Sequence, residues 1–180
     1  MTKLECEIKA VIRDVPNFPK DGILFKDIST LLLQPELSNK ILDALVAHYQ
    51  HQEIDAIAGI ESRGFLFGYA LALRLNKPFV LIRKAGKLPA DKISQNYALE
   101  YGSASIEIHN DAIPKGARVL IHDDLLATGG SAEAAALLIQ KAGGVVAGFS
   151  MLIELSFLNG AQRLHSMNNH IHSVVRYWAN

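Results

Sequence analysis

The stretch that decides how this chain folds is Val119-Leu120-Ile121-His122-Asp123-Asp124-Leu125-Leu126-Ala127-Thr128-Gly129-Gly130-Ser131. Its first three residues are apolar and partly β-branched, which predicts a strand buried on both faces. Two adjacent carboxylates end that strand, a turn rich in Thr, Gly and Ser follows, and the Ala-rich residues 132–142 favour a helix. A strand, a polar turn and a helix in this order are typical of a ligand site at the carboxyl end of a parallel sheet.

The glycine turn predicts an anion-binding site. Its small residues let backbone N–H groups close around an anion, the start of the next helix adds partial positive charge, and Thr128 and Ser131 offer hydroxyl donors. A phosphate beside Asp123 and Asp124 indicates a sugar phosphate, because ribose hydroxyls can donate hydrogen bonds to the acids. No Lys follows Gly130, which excludes a Walker A loop, and the chain has no Gly-x-Gly for a dinucleotide fingerprint. The alternative is an ordinary strand-to-helix turn with a chance acidic pair.

A family resemblance begins in the same segment. The string Asp123-Asp124-Leu125-Leu126-Ala127-Thr128-Gly129-Gly130 resembles the phosphoribosyl-diphosphate loop of the type I phosphoribosyltransferases, and it looks like the adenine-specific branch of that family. The resemblance covers almost the whole chain, from Phe18 to about Gly160. It implies that the ribose 5-phosphate is bound by Asp123, Asp124, Ala127, Thr128, Gly129, Gly130 and Ser131.

A second strand-turn-helix unit precedes the first. Residues 55–60 predict a buried strand and residues 65–75 a helix, with Glu61-Ser62-Arg63-Gly64 between them. Arg63 suits a diphosphate, because a guanidinium binds phosphate oxygens in a fixed fork, although it could also be a surface residue at a helix start. The segment resembles the diphosphate loop of the family, with Glu61 where Asp is common. The resemblance implies diphosphate contacts from Glu61, Ser62 and Arg63, and a cis peptide bond between Glu61 and Ser62.

The segment after the predicted strand 79–82 is basic and broken by Gly and Pro, so it is either a solvated loop or a mobile lid that closes over a site. The resemblance favours a lid of about residues 84–102. It implies that Lys84 and Lys87 contact the diphosphate, and that Glu100 and Tyr101 join Arg63 in the catalytic machinery, with Glu100 reaching the reacting base. Periodicity alone predicts that residues 97–101 form a strand with Glu100 exposed, and that residues 106–109 are its hairpin partner.

The N-terminal residues 4–15 carry apolar side chains at helical spacing and predict a packing helix. Pro19 and Gly22 then break regular structure, which predicts a loop with apolar residues on it. The pattern alone favours a plug in the core. The resemblance implies instead that residues 1–35 contribute to an adenine pocket, in which Phe25 stacks on the purine and main-chain groups of Leu24 and Lys26 read its edge, with Leu155 as the opposite wall.

The remaining elements complete an α/β pattern. Residues 37–49 and 158–164 predict helices, and residues 145–155 and 171–177 predict strands, the last at a sheet edge. Alternating strands and helices predict a single α/β domain over residues 1–180, with a mostly parallel twisted sheet flanked by helices. The pairs His170-x-His172 and His48-x-x-His51 are taken as incidental, because a zinc site usually needs three or four ligands.

Composition limits the function classes. Eighteen basic and eighteen acidic residues give zero net charge, which favours neither a nucleic-acid nor a membrane partner. The single Cys6 cannot form an internal disulfide, which fits a reducing compartment, and the charged N-terminus predicts no signal peptide; we expect a cytoplasmic protein. An apolar content of 49% predicts a globular fold.

The resemblance implies an activity. Such enzymes join adenine to 5-phosphoribosyl 1-diphosphate, giving AMP and diphosphate, and they are usually homodimers. They use Mg²⁺, which is expected to bind mainly through the substrate diphosphate and ribose hydroxyls, with no metal ligand assigned to the protein. Two alternatives remain at this point: a non-catalytic regulator that senses phosphoribosyl diphosphate, and a phosphoribosyltransferase for another purine.

Overall fold

The computed structural model describes residues 2–98 and 103–179, and the chain divides into two units, residues 1–47 and residues 48–180. The helices are α1 (Lys3–Val11), α2 (Ser29–Leu32), α3 (Pro35–Tyr49), α4 (Gly64–Arg74), α5 (Gly130–Lys141) and α6 (Gly160–Leu164), with a short 3₁₀ turn at Ser156–Leu158. The strands are β1 (Arg13–Pro16), β2 (Leu24–Asp27), β3 (Ala56–Ile60), β4 (Phe79–Lys84), β5 (Lys92–Ala98), β6 (Ser103–His109), β7 (Arg118–Leu126), β8 (Val145–Leu155) and β9 (Ile171–Tyr177).

The N-terminal unit differs from its prediction in two places. Helix α1 begins at the Thr2 cap, whose hydroxyl accepts from the Glu5 N–H at 3.1 Å, but it ends at Val11 rather than continuing to residue 15. Residues 13–16 then pair antiparallel with β2, so part of the predicted loop is a strand. Pairing between β1 and β2 explains both the early end of α1 and the strand in the predicted loop. The helical spacing of apolar residues does not reveal such pairing.

The larger unit is built on a seven-stranded sheet in the order β5-β6-β4-β3-β7-β8-β9. Strands β4, β3, β7, β8 and β9 run parallel, and β5 and β6 form an antiparallel hairpin at one edge. The predicted mostly parallel α/β fold is therefore confirmed, with β9 at the opposite edge as expected. The single tryptophan, Trp178, follows β9 and is 67% exposed.

Helices cover both faces of this sheet. The alanines of α5 are buried in one core cluster with Ala58, Ile121 and Phe149, and their small side chains let the helix lie close to the strands. Helix α4 packs on the other face, where Gly68 lies against the ring of Phe79. Because alternate residues of a strand face opposite sides, β3 and β7 contribute to both layers.

Strand β7 is longer than the sequence indicates. It runs through both acids to Leu126, so Asp123 and Asp124 lie within the strand and do not end it. Parallel pairing with β8 holds the extension in place, with Asp123 opposite Met151 and Leu125 opposite Ile153. This pairing overrides the low strand propensity of aspartate.

Strand β5 lies within the predicted lid of about residues 84–102. Strand β5 starts at Lys92, earlier than predicted, and pairs along its whole length with β6, the expected hairpin partner. The Lys141 ammonium of α5 donates to the Ser94 carbonyl at 2.9 Å, which joins the hairpin to the helix. Residues 99–102 lie outside the described part of the chain. Among the described residues, no helix has both the length and the apolar character needed to cross a membrane.

Candidate active site

The candidate site lies where three neighbouring parallel strands end. Strand β3 is central and pairs with β4 on one side and β7 on the other, with Ile60 opposite Ile82 and Gly59 opposite His122. The carboxyl ends of these strands therefore meet at one rim of the sheet. That rim carries the acid pair, the glycine turn and the Glu61–Gly64 loop, all within the larger unit.

The acid pair is buried and held by Arg63. Both carboxylates are at most 9% exposed. Asp124 accepts from the Arg63 Nε at 2.6 Å, and its N–H donates to the Asp123 carboxylate at 2.9 Å. Burial and the adjacent charge of Asp124 raise the pKa of Asp123 well above its usual range. Arg63 stands at the N-cap of α4 with its side chain 45% exposed, as the alternative of a surface residue at a helix start expected, and its guanidinium also joins the two predicted loops. Its role in binding a diphosphate stays a prediction.

The glycine turn has the geometry of an anion cradle. Gly129 has a left-handed φ of 82° and stands at the N-cap of α5, where no side chain in the described structure caps the helix. The first-turn N–H groups of a helix have no intrahelical partners, so they are available to an anion. Thr128 is exposed and Ser131 is half-buried.

The Glu61–Gly64 loop is fastened to the start of the predicted lid. The peptide bond between Glu61 and Ser62 is cis, as the resemblance implied. The Glu61 carboxylate accepts from the Lys84 N–H at 2.8 Å and from the Arg83 Nε at 3.3 Å. Burial alone would raise the pKa of Glu61, but these two partners lower it. The side chains of Lys84 and Lys87 are exposed beside this loop.

Comparison with known proteins identifies the family of this chain. Residues 27–174 match the family described as the phosphoribosyl transferase domain. The chain belongs to the phosphoribosyl transferase family. It is 51% identical to the adenine phosphoribosyltransferase of Ureaplasma parvum over 94% of this chain and 96% of the relative. It is also 51% identical to that of Solibacter usitatus over 95% of this chain and 98% of the relative.

Solved structures show the same likeness. The adenine phosphoribosyltransferase of Thermoanaerobacter pseudethanolicus superposes with a TM-score of 0.92 at 47% identity, covering 97% of this chain and all (100%) of that one. The Trypanosoma brucei structure, described as a complex with AMP, pyrophosphate and ribose-5-phosphate, gives 0.87 at 31% identity and covers 97% and 80% of the two chains.

The predicted adenine residues of this phosphoribosyl transferase lie in separate units, and their shared pocket stays a prediction. Leu24, Phe25 and Lys26 form most of β2 in the N-terminal unit, whereas Leu155 ends β8 in the larger unit. The Lys26 ammonium donates to the Asp14 carboxylate at 2.6 Å, so its side chain is already engaged.

The predicted catalytic residues Glu100 and Tyr101 lie outside the described part of the chain, so their roles also stay predictions. Tyr97, earlier on β5, is a residue that sequence reasoning missed. Its ring lies 4.0 Å from the position that a Cβ of Gly130 would take, so it approaches the glycine turn. Burial, and after it the charge of Asp123, raises the pKa of Tyr97. The only sequence signal was the alternation of large and small side chains along β5.

His122 of β7 is a further buried residue to which the sequence analysis assigned no role. The His122 Nδ1 hydrogen-bonds the Ser150 hydroxyl at 3.1 Å, and its buried Nε2 has no hydrogen-bond partner within residues 2–98 and 103–179. Burial lowers the pKa of this imidazole to about 4.

Of the histidines that the sequence analysis treats as incidental, His48 and His172 stack with ring centroids 3.9 Å apart.

The residues present fit a metal ion that is carried by substrate. Across the described ranges 2–98 and 103–179, no group of three or more His, Cys, Asp or Glu side chains could hold a metal ion. Asp124 is paired with Arg63, and Glu61 with Arg83. Mg²⁺ commonly binds through one or two carboxylates together with substrate phosphates and water, so this arrangement is compatible with it.

Proposed function

We propose that this phosphoribosyl transferase transfers the phosphoribosyl group of 5-phosphoribosyl 1-diphosphate to adenine, giving AMP and diphosphate in purine salvage. The observation that carries the proposal is the Arg63–Asp124 ion pair, because it brings a diphosphate-binding cation and a ribose-binding acid together at one rim. The family match runs across the boundary between the two units, which supports their serving one transferase domain.

We propose that each part of the donor substrate binds at this rim. The first-turn N–H groups of α5 bind the 5-phosphate, with Ala127, Thr128, Gly129, Gly130 and Ser131 forming the cradle. Asp123 and Asp124 accept hydrogen bonds from the ribose hydroxyls. Arg63, Lys84 and Lys87 meet the diphosphate, while Glu61 and Ser62 set the shape of its loop.

Transfer is a displacement at C1 of the ribose. The bond from adenine nitrogen to C1 forms, and the bond from C1 to the diphosphate oxygen breaks with its electron pair leaving on the diphosphate. The proton of the reacting nitrogen passes to water or to the departing diphosphate. Cationic side chains that already surround the leaving group stabilise its charge without reorganisation. The buried acids lie near the positive charge that develops on the ribose. Glu100 and Tyr101 are proposed to contact the reacting base.

Mg²⁺ would bind mainly through the diphosphate and ribose hydroxyls, which Asp123 and Asp124 would hold in place. When bound, it would neutralise part of the negative charge on the leaving group. The protein's own contribution is to orient the two reactants in line and to exclude water. The exposed Cys6 fits a cytoplasmic location, which we also propose.

An apolar stripe on the larger unit supports a homodimer. Leu66, Tyr69 and Leu73 are spaced along α4 and are 46%, 54% and 62% exposed. Tyr69 packs against Phe79 of β4, and Leu81, on the same face of that strand, is 43% exposed. An exposed apolar patch of this kind is typical of a protein interface. We therefore propose this stripe as part of the contact between two copies.

Substrate use tests the proposed function. Initial rates are measured with 5-phosphoribosyl 1-diphosphate, Mg²⁺ and radiolabelled adenine, hypoxanthine or guanine in turn. We expect AMP formation with adenine, at an efficiency at least about two decades above that with hypoxanthine. Comparable use of hypoxanthine or guanine would point to another purine, and no product with any base would point to a non-catalytic sensor of the sugar phosphate.

Lys26→Ala tests how the base is read. Adenine and hypoxanthine present opposite donor and acceptor patterns at C6 and N1, and two mispaired buried groups cost roughly 1–3 kcal/mol each. Since the Lys26 side chain is paired with Asp14, we expect main-chain atoms to read the base and Lys26→Ala to keep the preference for adenine. Asp14→Asn is the matched control, because it weakens the same ion pair and retains Lys26. A preference lost only in Lys26→Ala would assign the reading to the side chain.

A further inference from the structure

Helix α6 begins directly against the glycine turn, where Gly160 approaches Ala127 and Gly129. A Cβ at Gly129 would lie 2.8 Å from the Gly160 carbonyl oxygen, and a Cβ at Gly160 would overlap the Ala127 carbonyl. Real side chains do not tolerate such distances to backbone atoms, so both positions require glycine for close approach. The start of α6 is therefore packed against the turn that is proposed to bind the 5-phosphate.

An acidic residue stands close to this turn. Glu133 lies in the first turn of α5, and its side chain is 24% exposed. The positive end of a helix attracts anions, and a free carboxylate at this position would repel an incoming phosphate. A partner for that carboxylate therefore bears directly on how well the turn accepts an anion.

Arg163 of α6 is that partner. Its Nε donates to the Glu133 carboxylate at 2.7 Å. Its Nη1 lies 3.6 Å from the position that a Cβ of Gly130 would take, on the side of the turn where the Tyr97 ring and the Ala98 carbonyl also approach. One guanidinium thus neutralises the acid and places positive charge beside the first residue of α5.

We propose, resting on the proposed function, that Arg163 is a positioning residue for the 5-phosphate of the donor substrate. It compensates the Glu133 carboxylate and keeps the field at the start of α5 positive. The phosphate binds the backbone N–H groups of the turn, and Arg163 acts on that binding through Glu133 and through its own charge. Removing the arginine leaves an unpaired acid next to the phosphate, whereas removing both charges leaves a neutral site.

A four-member kinetic cycle tests this proposal with the parent chain, Arg163→Met, Glu133→Gln and the double variant. We expect Arg163→Met to raise the KM for 5-phosphoribosyl 1-diphosphate about tenfold, with kcat and the KM for adenine close to those of the parent. Glu133→Gln alone should keep this KM within about threefold of the parent value. The double variant should have a KM closer to that of the parent than to that of Arg163→Met. Added NaCl should reduce the difference in KM between the parent and Arg163→Met, because salt screens exposed charges.

Arg118→Met is the control, because it makes the same substitution at an arginine that also pairs with an acid, Glu53 at 3.8 Å, but lies at the opposite end of β7 from the glycine turn; it should leave every kinetic constant unchanged. If the parent chain is active and Arg163→Met leaves the KM for 5-phosphoribosyl 1-diphosphate unchanged, this proposal is overturned while the proposed function stands. A double variant no better than Arg163→Met would also overturn it, because the arginine would then act as a mechanical clamp. A parent chain without transferase activity would overturn the proposed function and this inference with it.

Discussion

Replacing His122 by Asn is expected to change how the stability of this transferase depends on pH. His122 directly precedes the acid pair on β7 and its imidazole is fully buried, and this burial lowers its pKa from 6.5 to about 4. The unfolded chain therefore binds a proton more readily than the folded chain. The stability that depends on neutral His122 is fully present above the unfolded pKa of 6.5 and is lost as the pH falls towards about 4.

The size of the effect follows from the shift. One pKa unit corresponds to about 1.4 kcal/mol, so the parent should lose about 2 kcal/mol of unfolding free energy through this group near pH 5, and roughly 3 kcal/mol below pH 4. Asparagine does not titrate, and its amide can still hydrogen-bond the Ser150 hydroxyl that His122 contacts. The smaller side chain should cost about 1–2 kcal/mol at every pH because it leaves a gap.

The measurement is urea unfolding followed by far-ultraviolet circular dichroism at several pH values between about 5 and 7.5. We expect His122→Asn to be the less stable protein at neutral pH and to lose the difference as the pH falls. His165→Asn is the control, because it makes the same substitution at an exposed histidine. Its unfolding free energy should change with pH in the same way as that of the parent. Parallel curves for the parent and His122→Asn would refute the reasoning, since they would show that the buried imidazole does not oppose protonation.

Two further substitutions test the rim. Asp124→Asn removes a charged acceptor from Arg63 and from the ribose hydroxyls, so we expect kcat/KM for 5-phosphoribosyl 1-diphosphate to fall by one to two decades, the equivalent of roughly 1.5–3 kcal/mol, in a protein with native circular dichroism; unchanged kinetics would remove Asp124 from the site. Gly129→Ala combines a positive φ with a close contact to Gly160, so we expect calorimetry to show that binding of 5-phosphoribosyl 1-diphosphate is lost. Gly116→Ala is the control, because Gly116 also has a positive φ, of 79°, but no atom within 4 Å of its Cβ in the described structure; it should cost only about 1 kcal/mol of stability and leave binding intact. Equal binding by the two variants would contradict the cradle.

Much of the fold could be predicted because local and tertiary preferences agree. The strands Val145–Leu155 and Ile171–Tyr177 have the predicted bounds, and the two strand-turn-helix units are confirmed. The β1–β2 hairpin could not be predicted in this way, since Pro19 and Gly22 indicate a break without showing that its flanks pair. Likewise, β7 continues through two aspartates only because β8 offers it a ladder.

The candidate site divides along the same line. The motifs predicted the acids, the glycine turn and Arg63, because each motif is a continuous segment of sequence. Arg163 lies thirty residues after Glu133, and no local pattern connects the two. His122 could not be assigned a role either, because its environment depends on Ser150 from the neighbouring strand. Contacts between distant segments are the part of this site that only the structure supplies.

The position of Trp178 decides what an optical signal from this protein reports. Its indole is the chain's sole tryptophan and is already largely hydrated in the folded state. Unfolding should therefore shift its emission little, and an intrinsic fluorescence trace would follow the end of the edge strand rather than the interior of the sheet. The same exposure makes the indole a sensor that needs no label: a molecule docking on the outer side of β9 would dehydrate it and move its emission to the blue.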